Sequence, residues 1–247
     1  MVPQETAAKL RELRLVGMAE AYRAQQEDPT LAELTFDERL GLLVDAEWTY
    51  RKSRREQRLL REAHLRLRAA PEEIDYHAPR GLDREMMRRL LSCEWIHQHH
   101  NVVLSGPTGV GKTFLACALG TAACRNGYTT RYYRLPRLLT ELTLAQGDGS
   151  YPRLLASLAR VELLILDDWG MVRLTSTQGR DLLEVIDDRA DRHATLLASQ
   201  LPLEAWHGVI QDPTIADAVL DRLLHNAYRI LLQGESMRKW NAPPSPA

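Results

Sequence analysis

The stretch "LSGPTGVGKT" at residues 104–113 decides the fold. It fits G-x-x-x-x-G-K-[ST] at Gly106, Gly111, Lys112 and Thr113. The apolar run "NVVLSG" leads into it and the helical pattern "FLACALGTAA" follows. Strand, glycine loop and helix in that order form a phosphate cradle. Glycines let the backbone wrap an anion and aim several N–H groups at it. The helix N-terminus adds the positive end of its dipole. Gly106, Pro107, Thr108, Gly109, Val110, Gly111, Lys112, Thr113 and Phe114 are therefore the expected nucleotide contacts. Lys112 is placed to reach the outer phosphates, and the Thr113 hydroxyl suits a magnesium ion. The cofactors this implies are ATP and Mg2+.

Such a cradle needs a carboxylate beside the metal. The run "LLILDD" at residues 163–168 supplies it. Four apolar residues read as a buried strand, with Asp167 and Asp168 at its C-terminal end. Open α/β sheets bind their ligands at that edge. Asp167 is expected to meet the metal, together with Thr113. Asp168 is expected to orient a water towards the outermost phosphate.

Around these segments, apolar runs alternate with helical patterns: "TTRYYRL", "ELLILDD", "ATLLASQ" and "AYRILLQG" join "NVVLSG". Five such strands predict an α/β fold, a parallel sheet covered by helices on both faces. "ATLLASQ" ends in Ser199 and Gln200, a polar pair that a central strand would present to the phosphate.

The first part of the chain reads differently. Residues 1–70 carry helical spacing throughout. Leu40, Leu43, Val44 and Trp48 form the expected apolar stripe of a helix starting near Asp37. That helix runs into "YRKSRREQRLLREAHLRLR", where residues 51–68 hold eight Lys or Arg against two Glu, a local charge of +6. The whole chain, with 32 basic and 33 acidic residues, has a net charge of -1, so only this local excess speaks for a polyanion. Arg51, Lys52, Arg54, Arg55, Arg58 and Arg61 are the candidate DNA contacts. A solvated helix face is the alternative reading. Residues 71–100, with "AAPEEIDYHAPRGL" at their start, read as a linker and a short helix. The nucleotide domain is expected over 101–239 and a disordered proline-rich tail over 240–247.

Cys93, Cys117 and Cys124 lack metal-ligand spacing and read as buried thiols of a reducing compartment. His97, His99 and His100 have no acid or cysteine to complete a ligand set. No apolar run approaches the ~20 residues of a membrane span, and the N-terminus lacks a signal-peptide core. No membrane partner is expected, and the expected location is the cytoplasm.

Several segments together carry a resemblance to a known family. "NVVLSGPTGVGKTFLACALG", "LLILDDWG", "ASQLPLEAW" and "DRLLHNAYRILLQGESMR", with the N-terminal "LRELRLVGMAEAY" and "LLVDAEWTYRKSRR", resemble the IstB-like ATPases, helper proteins of a bacterial insertion-sequence family. They are also similar to the DnaC helicase loaders. The resemblance covers the chain from about residue 5 to Lys239. It implies an AAA+ P-loop ATPase fold preceded by a small helical domain that binds DNA or mediates oligomerisation. It further implies an ATPase that oligomerises on double-stranded DNA, remodels it, and recruits and stimulates a transposase. The family's catalytic pattern falls on Lys112, Thr113, Asp167 and Asp168, and its phosphate sensor on Gln200. Its late arginine falls on Arg222, which would reach the ATP of a neighbouring subunit; a salt bridge with Asp221 or Asp217 is the plainer alternative. Glutamine stands at the sensor position where asparagine is common, and aspartate where many AAA+ enzymes carry glutamate. These departures lead us to expect slow turnover. A helicase loader remains the alternative function, and a small-molecule kinase would leave the "DRLLH" run unexplained.

Overall fold

The computed structural model describes residues 3–237. The tail expected at 240–247 lies outside that range. Two compact units divide the chain, Met1–Arg58 and Leu59–Ala247. The division falls before the boundary expected at residue 70.

The first unit holds α1 (Pro3–Glu12), α2 (Val16–Glu27) and most of α3 (Phe36–Ala63). Asp28 caps the turn between α2 and α3 by accepting from the Thr30 N–H at 3.0 Å. Thr35 and Glu38 form reciprocal bonds at the entry to α3, at 3.3 and 2.8 Å. The inner face of α3 is unusual. Glu47 is buried there, accepting from the Met18 N–H at 3.1 Å and from Arg51 Nε at 2.6 Å. The expected apolar stripe therefore turns outward: Leu40, Val44 and Trp48 are exposed, together with Phe36. Four-residue spacing correctly placed them on one face, but that face is not the packed one.

The second unit contains a five-stranded parallel sheet in the order β2-β3-β4-β1-β5. Its strands are β1 (Asn101–Ser105), β2 (Thr130–Arg134), β3 (Leu163–Trp169), β4 (Ala194–Ser199) and β5 (Ala227–Leu231). β4 lies between the strand that feeds the glycine loop and the strand that ends in the two aspartates. One face is covered by α4 (Arg84–Leu91), α5 (Glu94–His97) and α6 (Lys112–Arg125). The other is covered by α7 (Leu135–Asp148), α8 (Tyr151–Ala159), α9 (Ser176–Asp187) and α10 (Pro213–Leu224). Every residue of β1 and β4 is buried, as a parallel sheet covered on both sides requires. Each fully buried leucine of these strands contributes roughly 1.5–3 kcal/mol.

The segment read as a linker and short helix is part of this core. Ala69, Ile74, Met87, Leu90 and Trp95 are buried in the same cluster as the inner residues of β1 and α6. Proline and glycine marked a chain without long helices, but these apolar side chains tie it down. Arg80 within it is also buried.

Arg189 is almost fully buried, at 1% exposure. Its guanidinium donates to the carbonyls of Leu158, Val161 and Ala194 at 2.6, 2.7 and 2.5 Å. Burial pulls its pKa down to about 9, so the group still carries its charge at neutral pH. It joins the ends of α8 and α9 to β4. The three cysteines are buried, and burial pushes the Cys93 thiol up to about 11.

Candidate nucleotide site

The glycine loop leaves β1 at Ser105 and enters α6 at Lys112. Two of its glycines are dictated by crowding. Gly106 has φ 146°, and a Cβ there would come within 2.2 Å of the Leu232 carbonyl oxygen. Gly111 has φ 95°, and a Cβ there would come within 2.5 Å of Arg80 Nη1. The loop is thus fenced by two distant segments. Residues past β5 run alongside it: the Leu232 N–H donates to Ser105 O at 2.8 Å and the Met237 N–H to Gly109 O at 3.0 Å. From the other side, Arg80 donates to Val110 O at 3.2 Å and to Asp75 O at 2.7 Å.

Lys112 folds back over the loop and donates to the carbonyls of Gly106 and Pro107, both at 2.7 Å. Burial lowers its pKa, and the carboxylates of Asp167 and Asp168 oppose that fall. The Thr113 hydroxyl donates to Asp167 Oδ2 at 2.7 Å. The Tyr132 hydroxyl donates to the same oxygen at 2.7 Å. Asp167 is 2% exposed, and the two donors fix its orientation. Burial, then the bond to Asp167, raises the pKa of Tyr132.

Asp168 adopts a left-handed backbone, with φ 61°. This turns its carboxylate towards Arg134, whose Nε lies 2.5 Å from Asp168 Oδ2, while Arg66 Nη1 lies at 3.8 Å. Across the β2–β3 ladder, Arg134 stands in register with Asp167. Gln200 follows β4, and its Oε1 accepts from the Thr108 hydroxyl at 2.8 Å.

These groups line one cavity of about 860 Å³. That size suits a nucleotide. It brings together Thr108, Gly109, Gly111, Lys112, Thr113 and Phe114 with Asp167, Asp168 and Gln200. A divalent cation with oxygen ligands fits the Thr113–Asp167 pair: both are hard donors, already oriented within hydrogen-bond distance of one another. Among the described residues no group of three or more His, Cys, Asp or Glu could hold a metal alone. The remaining ligands would therefore come from phosphate and water.

Arg222 lies elsewhere. Its backbone adjoins Asn101, at the start of β1, whereas the loop leaves the end of that strand. Its side chain forms an ion pair with Asp187 and donates to Ala218 O at 2.8 Å, so the acid it meets is Asp187 rather than Asp217 or Asp221. Sequence reading missed four contributors. Arg80 was hidden in an apparent linker, and Tyr132 in a strand whose alternation gave no sign of function. Arg66 was counted with the basic helix, and Arg134 lay in the strand pattern "TTRYYRL" without a mark of function. Arg51, Lys52, Arg54, Arg55, Arg58 and Arg61 are all exposed along α3. Lys52 lies over the Trp48 ring at 5.0 Å, and Arg54 over Tyr50 at 5.9 Å.

A parallel sheet with β4 inserted between β1 and β3, a glycine loop at the end of β1 and an acid pair on β3 define an AAA+ P-loop ATP-binding protein. The chain belongs to the family described as IstB-like ATP binding protein, which matches residues 8–244. It is 48% identical over 97% of its length to an insertion sequence ATP-binding protein of Sinorhizobium fredii, covering 98% of that protein. It is 34% identical over 95% of its length to an ATP-binding protein in an insertion sequence of Mycobacterium tuberculosis, covering 94% of that protein. Among solved structures, DnaI is similar with a TM-score of 0.59 at 19% identity, over 71% of this chain and 93% of that one. AMPPCP-bound DnaA from Aquifex aeolicus is similar with a TM-score of 0.57 at 19% identity, over 71% and 53%. At such identity these two likenesses speak to the fold alone. No described helix is long and apolar enough to cross a membrane.

Proposed function

We propose that this chain is an ATP-dependent helper of transposition. It hydrolyses ATP with Mg2+, assembles with copies of itself on double-stranded DNA, remodels that DNA, and recruits and stimulates a transposase in the cytoplasm. The observation carrying this reading is the division of labour within the fold. Lys112, Thr113, Asp167, Asp168 and Gln200 share one cavity. Arg222 sits at the opposite end of β1, about 13 Å away along a strand of this length. An arginine so placed is out of reach of its own nucleotide, and on leaving Asp187 it would serve a neighbour's.

In this reading the loop N–H groups and Lys112 hold the outer phosphates. Thr113 and Asp167 hold the magnesium ion, which would neutralise phosphate charge when bound. Asp168 accepts a proton from, or orients, the attacking water once Arg134 releases it. Gln200 fixes the end of the phosphate chain, and a neighbour's Arg222 offsets the charge that develops there. The six exposed cations of α3 supply sequence-independent contacts to the DNA backbone. The insertion-sequence relatives support this over a helicase loader.

The test is binding to long duplex DNA with ATP, with ADP, and for Lys112→Ala and Arg222→Ala, with particle size followed throughout. Large ATP-dependent complexes on duplex DNA are expected, and both variants should lose them. Binding indifferent to nucleotide, or confined to single strands, would favour a loader.

A further inference from the structure

At the start of β1, Asn101 is 7% exposed, yet its side chain is fully engaged. Its Oδ1 accepts from the Thr195 N–H of β4 at 2.8 Å. Its Nδ2 faces the carbonyl oxygens of Arg222 and Leu223 at 3.1 and 3.2 Å, and Asn226 Oδ1 at 3.2 Å. The last carbonyls of a helix have no partner within it, and here one amide supplies donors to two of them at the end of α10. An amide side chain offers an acceptor oxygen and two N–H donors at once. A hydrophobic residue at 101 would leave the Thr195 N–H and the α10 carbonyls unsatisfied in the core.

This single side chain therefore joins three elements. β1 continues from Asn101 to Ser105 and into the P-loop. β4 continues from Thr195 to Ser199 and then Gln200. α10 carries Arg222, whose backbone is held inward by Asn101 while its side chain reaches the surface beside Asp187. The two strands that contact phosphate in one site are pinned, at their far ends, to the backbone of the arginine meant for the next.

We propose that Asn101 is a positioning residue for Arg222, fixing the place from which that arginine reaches the nucleotide of the neighbouring subunit. The assignment rests on the reading above in which Arg222 acts between subunits. It predicts an asymmetry. Asn101 matters in the subunit that donates the arginine, and not in the subunit whose nucleotide is hydrolysed.

Mixed assemblies on duplex DNA read this out as phosphate release. Lys112→Ala subunits donate Arg222 but cannot use nucleotide, and Arg222→Ala subunits do the reverse. Their equimolar mixture should regain turnover that neither shows alone. Asn101→Asp keeps the acceptor for Thr195 and removes the donor arm towards α10. Placed in the Lys112→Ala subunit, it should lower the regained turnover about 100-fold, the order expected for a catalytic group displaced by about 1 Å. Placed instead in the Arg222→Ala subunit, it should leave the regained turnover as in the reference mixture. Asn101→Ser, which shortens the donor arm without adding charge, should show the same asymmetry more weakly, with thermal melting of each variant followed in parallel.

Equal loss in both placements means that Asn101 merely holds the fold together, and overturns the proposal. So does loss in neither. If Asn101→Asp fails to fold, Asn101→Ser decides between the same outcomes. Absence of rescue in the reference mixture itself would sink the intersubunit role of Arg222, and this assignment with it.

Discussion

Arg134 Nε lies 2.5 Å from Asp168 Oδ2. The carboxylate proposed to orient water is thus held by a cation from the neighbouring strand. Arg66 stands behind it at 3.8 Å, and both arginines are partly open to solvent. A carboxylate in that grip is a poor acceptor for water, so turnover in the absence of partners should be slow.

Replacing Arg134 should release it. Arg134→Gln is expected to raise partner-free phosphate release by about 3–10-fold, no more than ~1.4 kcal/mol of barrier. Steady-state turnover of purified protein without DNA measures this. A rate equal to or below that of the unaltered chain would count against a restraining role.

Asp167 and Tyr132 separate in the opposite sense. Asp167→Asn removes a charge from the Thr113 pair and should lower turnover by about 100-fold or more while nucleotide still binds. Tyr132→Phe removes one of two donors to Asp167 Oδ2. It should chiefly raise the Mg2+ concentration needed for half-maximal turnover, by less than about tenfold. A magnesium titration at saturating ATP distinguishes the two.

The pH profile of nucleotide affinity follows from Lys112. Burial lowers the pKa of this ammonium from its ordinary 10.5, so the charged form is lost at lower pH than for a solvated lysine. ATP favours the charged form. Affinity should therefore be flat at neutral pH and weaken on the alkaline side, beginning below the ordinary lysine range, with proton uptake on binding. Calorimetric titrations in buffers of different ionisation enthalpy read that uptake directly. Lys112→Met should abolish it.

Arg189 concerns stability rather than turnover. Arg189→Met would leave the carbonyls of Leu158, Val161 and Ala194 without their donor. Leu158 O keeps the Val161 N–H at 3.4 Å, so two carbonyls bear the change; at ~1–3 kcal/mol for each unsatisfied buried group, the loss should exceed about 2 kcal/mol by denaturant unfolding. A smaller loss would mean that water reaches these carbonyls.

DNA contact through α3 predicts a salt signature. Arg54→Ala combined with Arg58→Ala should weaken duplex binding similarly for all sequences. It should also make the slope of log affinity against log salt shallower by about 2. An unchanged slope would remove those two positions from the interface.

How much of this was legible in the sequence depended on the range over which each signal acts. The loop at 106–113 and the acid pair at 167–168 announce themselves because their chemistry is local: glycine positions, one lysine, and an apolar strand ending in carboxylates. β4 was recognisable as a strand, and the polar pair at its end marked it as a central one; its neighbours β1 and β3 follow only from the pairing. Arg80 was illegible because its role is to bond Val110, thirty residues away, and nothing in "HAPRGL" says that the chain turns back. Tyr132 and Arg134 alternate along β2 like any half-buried strand, and only the register with β3 aims them at the aspartates. The stripe on α3 shows the opposite failure. Spacing gave its face, but Glu47, a polar residue, marks the side that packs.

The fence around the phosphate loop has a bearing on biosynthesis. Leu232 and Met237 bond to Ser105 and Gly109, so the cradle is bounded by backbone made well after the glycine motif itself. A ribosome-bound chain that has emerged only as far as β4 already contains the whole glycine motif, yet lacks one wall of its pocket. Competence to grip a nucleotide then waits until residues 232–237 have emerged and closed that wall.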